Sequence, residues 1–267
     1  MVKVIVAGCA GRMGRRIMTC AINNKNISLA GAFEWEKSPF VGTKVADLLG
    51  WAKTNCTIAS SLSKIIDKGD VIIDFTSPQA TFANVKEALK KKKKLVIGTT
   101  GLNAKEQSII KEASKKIAIV FAPNMSIGVN LLFKLSKMAA EILDDGYDVE
   151  IVEAHHKHKK DSPSGTAHEI ARQVAMGRGI DLKKKAVYGR QGMCGERKQG
   201  EIGIHAVRGG DVVGEHTLSF MTEGERIELT HKASSRDAFA KGSLVAAQFI
   251  SKKKKGLYSM QDVLGLQ

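Results

Sequence analysis

Aromatic residues make up only 5% of this 267-residue chain. The three lysine runs, Lys90–Lys94, Lys183–Lys185 and Lys252–Lys255, hold none between their cations. Proteins that bind single-stranded nucleic acid combine a basic groove with aromatic stacking platforms. The runs are therefore read as solvated, charged surface, and no nucleic-acid partner is expected. Cysteine is equally scarce. Cys9, Cys20, Cys56 and Cys194 form no C-x-x-C pair and no zinc spacing, which indicates reduced thiols of a cytoplasmic protein. No apolar stretch approaches the roughly 20 residues of a membrane span. The opening "MVKVIVAG" reaches glycine too soon for a signal peptide, so no membrane partner is expected. No internal repeat is visible.

What is present is positive charge and glycine. Lys and Arg number 42 against 27 Asp and Glu, a formal charge of +15. That excess favours anionic partners such as phosphate cofactors or carboxylate substrates without choosing between them. The first motif narrows the choice. Val2–Val6 is a β-branched run suited to a buried parallel strand. Gly8, Gly11 and Gly14 follow, and then a helical pattern with Met13, Ile17, Met18 and Ala21 on one side. Strand, glycine turn and helix are the context of a dinucleotide cradle, in which the backbone approaches the pyrophosphate and the helix N-terminus faces it. The spacing is G-x-x-G-x-x-G, because Ala10 replaces the usual second glycine. Glu34 lies 20 residues beyond Gly14 at the end of "ISLAGAFE", where an acid bonds the ribose hydroxyls.

The alternation continues through "DVIIDFTSP", "TFANVKEALKKKKK", "KLVIGTTG", "NAKEQSIIKEASKK" and "IAIVFAPN". Repeated β-α units predict an α/β, Rossmann-type doubly wound parallel sheet whose C-terminal strand ends line a ligand crevice. From about Ser126 the rhythm changes. After the amphipathic "GVNLLFKLSKMAAEIL" come the short strands "EIGIHAVR", "DVVGEHTLSF" and "RIELTHKA", joined by Gly209-Gly210 and Glu223-Gly224-Glu225, which read as hairpin turns. A second, α+β domain with a mixed or antiparallel sheet is expected over 127–235. Residues 1–126 form the dinucleotide-binding domain, completed by 236–267.

Within the second part stands "EAHHKHKKDSPSGTA", Glu153 to Ala167. It leaves a predicted strand and enters a helix, with Ser162 as expected N-cap and Pro163 as first helical residue. A metal is not expected: adjacent His155 and His156 point apart on a strand, and Lys157, Lys159 and Lys160 repel a cation. A solvated His/Lys loop is the bland alternative. The sharper reading is a cationic pocket beside a helix N-terminus rich in small hydroxyl residues, where histidine exchanges protons near neutral pH and lysine balances a carboxylate. On the residues alone, a redox-sensing nucleotide-binding protein or an aspartate- or homoserine-type dehydrogenase also remains open.

The stretches "AGCAGRMGR", "DFTSP", "GTTG", "FAPNMSIGVN", "EAHHKHKKDSPSGTA", "RGGDVVGEH" and "ELTHKASSR" resemble the 4-hydroxy-tetrahydrodipicolinate reductases nearly end to end. The resemblance implies reduction of 4-hydroxy-2,3,4,5-tetrahydrodipicolinate by hydride transfer from NADH or NADPH in lysine and diaminopimelate biosynthesis, with a small dicarboxylate substrate and a homotetramer built through the second-domain sheets. It implies cofactor contacts at Gly8, Cys9, Ala10, Gly11, Arg12, Met13, Glu34, Gly98, Thr99, Thr100, Ala122, Pro123, Asn124 and Met125. His155 and Lys159 match the proton-transfer pair, and His156, Gly165 and Thr166 the substrate contacts, with Ser164 beside them. Trp35 stands where some relatives carry arginine able to grip a 2′-phosphate. NADH preference or dual use is therefore expected.

Overall fold

Alternating apolar residues near the N-terminus build the centre of a parallel sheet. Val2–Ala7 forms β1. Val4 and Val6 pack into one core layer, Ile5 and Ala7 into another, so both faces are covered, as a parallel strand requires. The computed structural model describes residues 1–266; Gln267, the last residue of the expected first domain, lies outside them.

The chain divides into two compact units: residues Met1–Ile127 with those from Arg236 onward, and Gly128–Ser235. The first unit continues from β1 through α1 (Arg12–Ile22), β2 (Ile27–Phe33), α2 (Val45–Leu49) and β3 (Ile58–Ala59). Then come β4 (Val71–Asp74), α3 (Pro78–Lys90), β5 (Lys94–Ile97), α4 (Ala104–Ser114) and β6 (Ala118–Phe121). With the C-terminal edge strand β12 (Gly256–Tyr258), the strand order is β12-β6-β5-β4-β1-β2-β3, and every pairing is parallel. The order reverses between β1 and β4, the switch point at which open α/β sheets take ligands. Two local signals hold the helices in register. Ser77 caps α3 ahead of Pro78, and Asn103 and Glu106 form a reciprocal capping box on α4.

The second unit holds most of α5 (Ile127–Ile142), then β7 (Asp148–His155), α6 (Gly165–Gly177), α7 (Leu182–Lys185), β8 (Ala186–Tyr188), β9 (Ile202–Arg208), β10 (Gly214–Thr222) and β11 (Glu225–Ala233). Its mixed sheet has the order β11-β10-β7-β9-β8. Residues of α5 and α6 pack with Val149, Ile151, Leu218 and Phe220 on one face. The chain then returns to the first unit through α8 (Asp237–Ser251), the edge strand β12 (Gly256–Tyr258) and α9 (Met260–Leu264). Among the described residues no helix is long and apolar enough to cross a membrane.

Two local expectations are corrected. Gly209-Gly210 does not close a hairpin. β7 lies between β9 and β10, pairing parallel with the first and antiparallel with the second. The connection instead crosses the end of β7 and bonds to it: Gly209 N–H donates to His155 O at 3.0 Å, and Lys157 and His156 N–H donate to Gly210 and Val212 carbonyls at 3.3 and 2.8 Å. β10 accordingly starts at Gly214, not Asp211. The Glu223-Gly224 connection is a hairpin, with Thr222 opposite Glu225 and Gly224 at φ +88°. Second, α6 starts at Gly165, not Pro163. Ser164 rather than Ser162 is the N-cap, because its side chain accepts the Ala167 N–H while its own N–H is held by Glu153.

Candidate active site

In the first unit the glycine turn is closed by contacts that exclude side chains. A Cβ on Gly14 would lie 2.2 Å from Gly8 O and 2.6 Å from Cys9 Cα. Gly8 turns the chain at φ +58°, with Thr76 Cγ2 2.7 Å from where its Cβ would be. Gly11, which caps α1, has no side chain to bond the first turn, so the N–H groups of Arg12 and Met13 face outward at the positive end of the helix dipole. Glu34 Oε1 accepts the Ala10 N–H at 2.7 Å, tying the end of β2 to this turn. A cleft of about 580 Å³ opens here over the strand ends, lined among others by Gly8, Gly11, Glu34, Trp35, Ser60 and Thr76. A backbone cradle, a helix N-terminus and an acid over a cleft of this size fit a dinucleotide.

The other expected cofactor residues fall on the same strand ends with different exposures. Gly98 and Thr99 are buried and Thr100 is exposed. Thr99 is part of a polar cluster on Asp74, a fully buried carboxylate that accepts from Thr76 N–H and Oγ1 at 3.0 and 2.6 Å and from Asn84 Nδ2 at 2.9 Å. Thr81 Oγ1 bonds Thr99 Oγ1 at 2.8 Å. Ala122 and Met125 are buried, Pro123 is exposed, and Asn124 Oδ1 accepts the Ser126 N–H at 2.9 Å. Cys9 is fully buried with its N–H spent on Phe33 O. Burial, with Glu34 and Cys56 nearby, pushes its thiol up to about 12, so Cys9 shapes the turn and presents no thiol chemistry. Of the basic groups near the turn, Arg15 is bound to Ala10 O and Leu48 O, and Arg16 is paired with Asp237. Lys3 sits near the opposite end of β1.

In the second unit His155 ends β7 and His156 lies just beyond it, bonded to Val212 rather than facing away along a continuing strand. The centre of this site is Glu153, which is fully buried. Its Oε2 lies 2.6 Å from His155 Nδ1 and 2.8 Å from Arg208 Nη1; its Oε1 accepts the Ser164 N–H at 2.9 Å and Arg208 Nη2 at 2.7 Å. Burial pulls the Glu153 carboxyl upward, but Arg208, His155 and the Ser164 N–H outweigh it and hold the group below its ordinary range. Removing one partner of such a pair costs about 3–5 kcal/mol. Arg208 also bonds Asp161 O at 2.7 Å, bracing the histidine segment. His155 is pushed down by burial, against the pull of Glu153 and helped by Lys159 and Arg208. His216 packs edge-on to His155 at 5.2 Å. Lys159 Nζ lies 2.9 Å from both carboxylate oxygens of Asp161.

His155, His156, Lys159, Ser164, Gly165 and Thr166 thus gather at the end of β7 and the start of α6. Gly165 and Thr166 reach the surface there, whereas Ser164 is buried as the cap. Glu153, Arg208 and His216 were not singled out by sequence reasoning. The available signal was an acid two residues before His155 in an alternating strand. Among the described residues no cluster of His, Cys, Asp and Glu is arranged to hold a metal ion.

Family models described as dihydrodipicolinate reductase, N-terminus and C-terminus, match residues 2–125 and 128–264. The chain belongs to the dihydrodipicolinate reductase family. The 4-hydroxy-tetrahydrodipicolinate reductase of Syntrophotalea carbinolica is 48% identical over 267 residues, all of both chains. That of Polynucleobacter necessarius is 48% identical over 265 residues, 99% of each. A solved dipicolinate-bound dihydrodipicolinate reductase from Paenisporosarcina superposes with a TM-score of 0.77 at 26% identity, covering 98% of both chains. A Corynebacterium glutamicum myo-inositol dehydrogenase shares the fold alone, with a TM-score of 0.61, 12% identity and coverage of 100% of this chain and 93% of that one. Membership of this family makes the protein an oxidoreductase, and family and Rossmann fold together imply a nicotinamide cofactor.

Proposed function

We propose that this enzyme reduces 4-hydroxy-2,3,4,5-tetrahydrodipicolinate to 2,3,4,5-tetrahydrodipicolinate with NADH or NADPH, in lysine and diaminopimelate biosynthesis. The observation that carries the proposal is the gathering of His155 and Lys159 beside the exposed helix start Gly165–Thr166. A dicarboxylate needs fixed donors, and the first-turn N–H groups of α6 with the Thr166 hydroxyl offer them at the positive end of the helix dipole. Lys159 adds charge. It is paired with Asp161, the lysine side chain being 20% and the aspartate 62% exposed, and a substrate carboxylate competes with Asp161 for it. His156 flanks the same segment.

In the first unit, the backbone of Gly8, Ala10, Gly11, Arg12 and Met13 receives the pyrophosphate, and Cys9 supports the turn from below. Glu34 takes the ribose, and the strand ends Gly98–Thr100 and Ala122–Met125 flank the site, with Thr100 and Pro123 exposed. The bound nicotinamide supplies the hydride. Water leaves the 4-hydroxy substrate, and the accompanying protons are held at His155 Nε2 and Lys159 Nζ. His155 Nδ1 is occupied by Glu153, so Nε2 is the nitrogen left for exchange.

Assembly into a homotetramer fits the sheet face opposite α5 and α6. There Val152 and Val207 are 44% and 53% exposed, while Val149 and Ile151 on the covered face are fully buried. Light scattering gives the mass, and a monomer removes that part of the proposal. The reaction itself is tested by following NADH and NADPH oxidation with substrate freshly made from aspartate semialdehyde and pyruvate. Purified enzyme that oxidises neither cofactor overturns the function.

A further inference from the structure

We infer that Glu153 is a positioning residue of this reaction: its two oxygens hold His155 Nδ1 and the Ser164 N–H together, fixing which nitrogen of His155 exchanges protons and how far that nitrogen stands from the start of α6. The inference rests on the proposed roles of His155 and of Gly165–Thr166.

The hydrogen-bond inventory supports it. Glu153 receives four contacts, from His155, Ser164 and the two terminal nitrogens of Arg208. An ionised carboxylate offers acceptors only, with about four lone-pair sites. His155 Nδ1 must therefore be the donor, which leaves Nε2 as the exchanging atom. The other groups facing the imidazole agree. Ser164 Oγ accepts the Ala167 N–H at 3.2 Å and bonds His216 Nε2 at 3.0 Å, and burial keeps the neighbouring His216 ring neutral. Lys159 and Arg208 bring positive charge and Glu153 the opposing negative charge. Because one carboxylate bonds both His155 and the cap of α6, movement of one relative to the other breaks a contact in the interior.

Glutamine is the informative replacement. It keeps the shape but puts an NH₂ where one oxygen stood. Directed at His155, that group donates to Nδ1 and forces the proton to Nε2, the wrong tautomer for a base. A carboxylate that holds a catalytic imidazole, or an outer partner of a metal-bound histidine, typically contributes at least about tenfold in activity. A purely structural carboxylate would lower activity without regard to His155.

The test compares Glu153→Gln, His155→Gln and the double variant in the steady-state reductase assay, with circular dichroism and thermal melts on each. Glu153→Gln is expected to lower kcat at least about tenfold. The limb of its kcat/KM pH profile set by His155 should move to lower pH, because the anion that favours the imidazolium is gone. In the double variant the second substitution should cost little, since both remove one function. Losses that multiply in the double variant, or an unmoved pH limb, overturn the inference. Wild-type turnover in His155→Gln alone overturns the proposed role of His155 instead, so the two failures are distinguishable. If Glu153→Gln does not fold, ¹⁵N NMR of histidine-labelled wild-type protein decides: a neutral His155 protonated at Nδ1 supports the inference, and one protonated at Nε2 overturns it.

Discussion

The Ser164 hydroxyl lies 3.0 Å from His216 Nε2 while its oxygen accepts the Ala167 N–H. A neutral His216 ring satisfies this contact in either tautomer, because the hydroxyl both donates and accepts. Burial, reinforced by His155, His231 and Lys159 and opposed by Glu153, pushes it down to about 3. In the unfolded chain it ionises near 6.5. Between these values the unfolded state binds the extra proton, so stability is fully present above about pH 6.5 and is lost as pH falls toward about 3. His155 and His231 are also lowered by burial and act in the same direction. The melting temperature should drop between pH 6.5 and pH 5, before ordinary carboxylates titrate, and less steeply in His216→Asn. A wild-type melting temperature flat across that window contradicts the assignment.

His155→Gln and Lys159→Ala should each reduce turnover while leaving cofactor affinity nearly unchanged. A positioned proton donor or acceptor contributes roughly 10²- to 10⁴-fold, whereas ordinary surface substitutions stay within about 0.5 kcal/mol of stability. Steady-state kinetics and cofactor fluorescence titration separate the two effects. Near-normal turnover in both variants would remove these residues from the mechanism.

Thr166→Val should weaken substrate binding more than turnover. Valine keeps the shape but leaves a carboxylate oxygen short of a donor, and a hydrogen bond to a charged group is worth about 1.5–3 kcal/mol. Inhibition by 2,6-pyridinedicarboxylate, a planar dicarboxylate, is the direct readout. An unchanged inhibition constant would place the carboxylate elsewhere.

The parallel sheet was legible because β1, β4, β5 and β6 are apolar runs rich in Val and Ile, each followed by a glycine or polar turn and then a helix. β3 and β12 are not legible in the sequence because runs of two and three residues have no period. They exist only as edges that an existing sheet recruits. The diglycine at 209–210 does not close the hairpin it signals, for a related reason. It is a strong local turn signal, yet whether its flanking strands pair depends on β7, more than 50 residues earlier in the chain. The histidine segment was legible as a cationic site from residue types alone. Glu153 was not, since its side chain resembles the nearby Glu150 until Arg208 arrives from 55 positions downstream.

Cofactor choice rests on a similarly small set of side chains. Glu34 holds the Ala10 N–H and lines the cleft beside Trp35, which is 64% exposed. An acid at this place accepts from ribose hydroxyls and repels a 2′-phosphate, which favours NADH. Trp35 carries no charge, and its ring suits the adenine that both cofactors share. The structure narrows the basic groups able to compensate. Arg15 is committed to two carbonyls, Arg16 to Asp237, and Lys3 stands near the far end of β1. Exposed Arg12 has no bond partner among the described residues and is the remaining candidate. One missing charged contact of about 1.5–3 kcal/mol corresponds to roughly 10- to 100-fold in affinity, of which Arg12 can restore a part. NADH preference or modest dual use is therefore the expected outcome. Trp35→Arg should raise the ratio of kcat/KM for NADPH over NADH, because a guanidinium grips a phosphate bidentately. Arg12→Ala should lower the same ratio. A wild-type enzyme favouring NADPH by more than about tenfold would show that Arg12 outweighs Glu34 and that Trp35 does not set the preference.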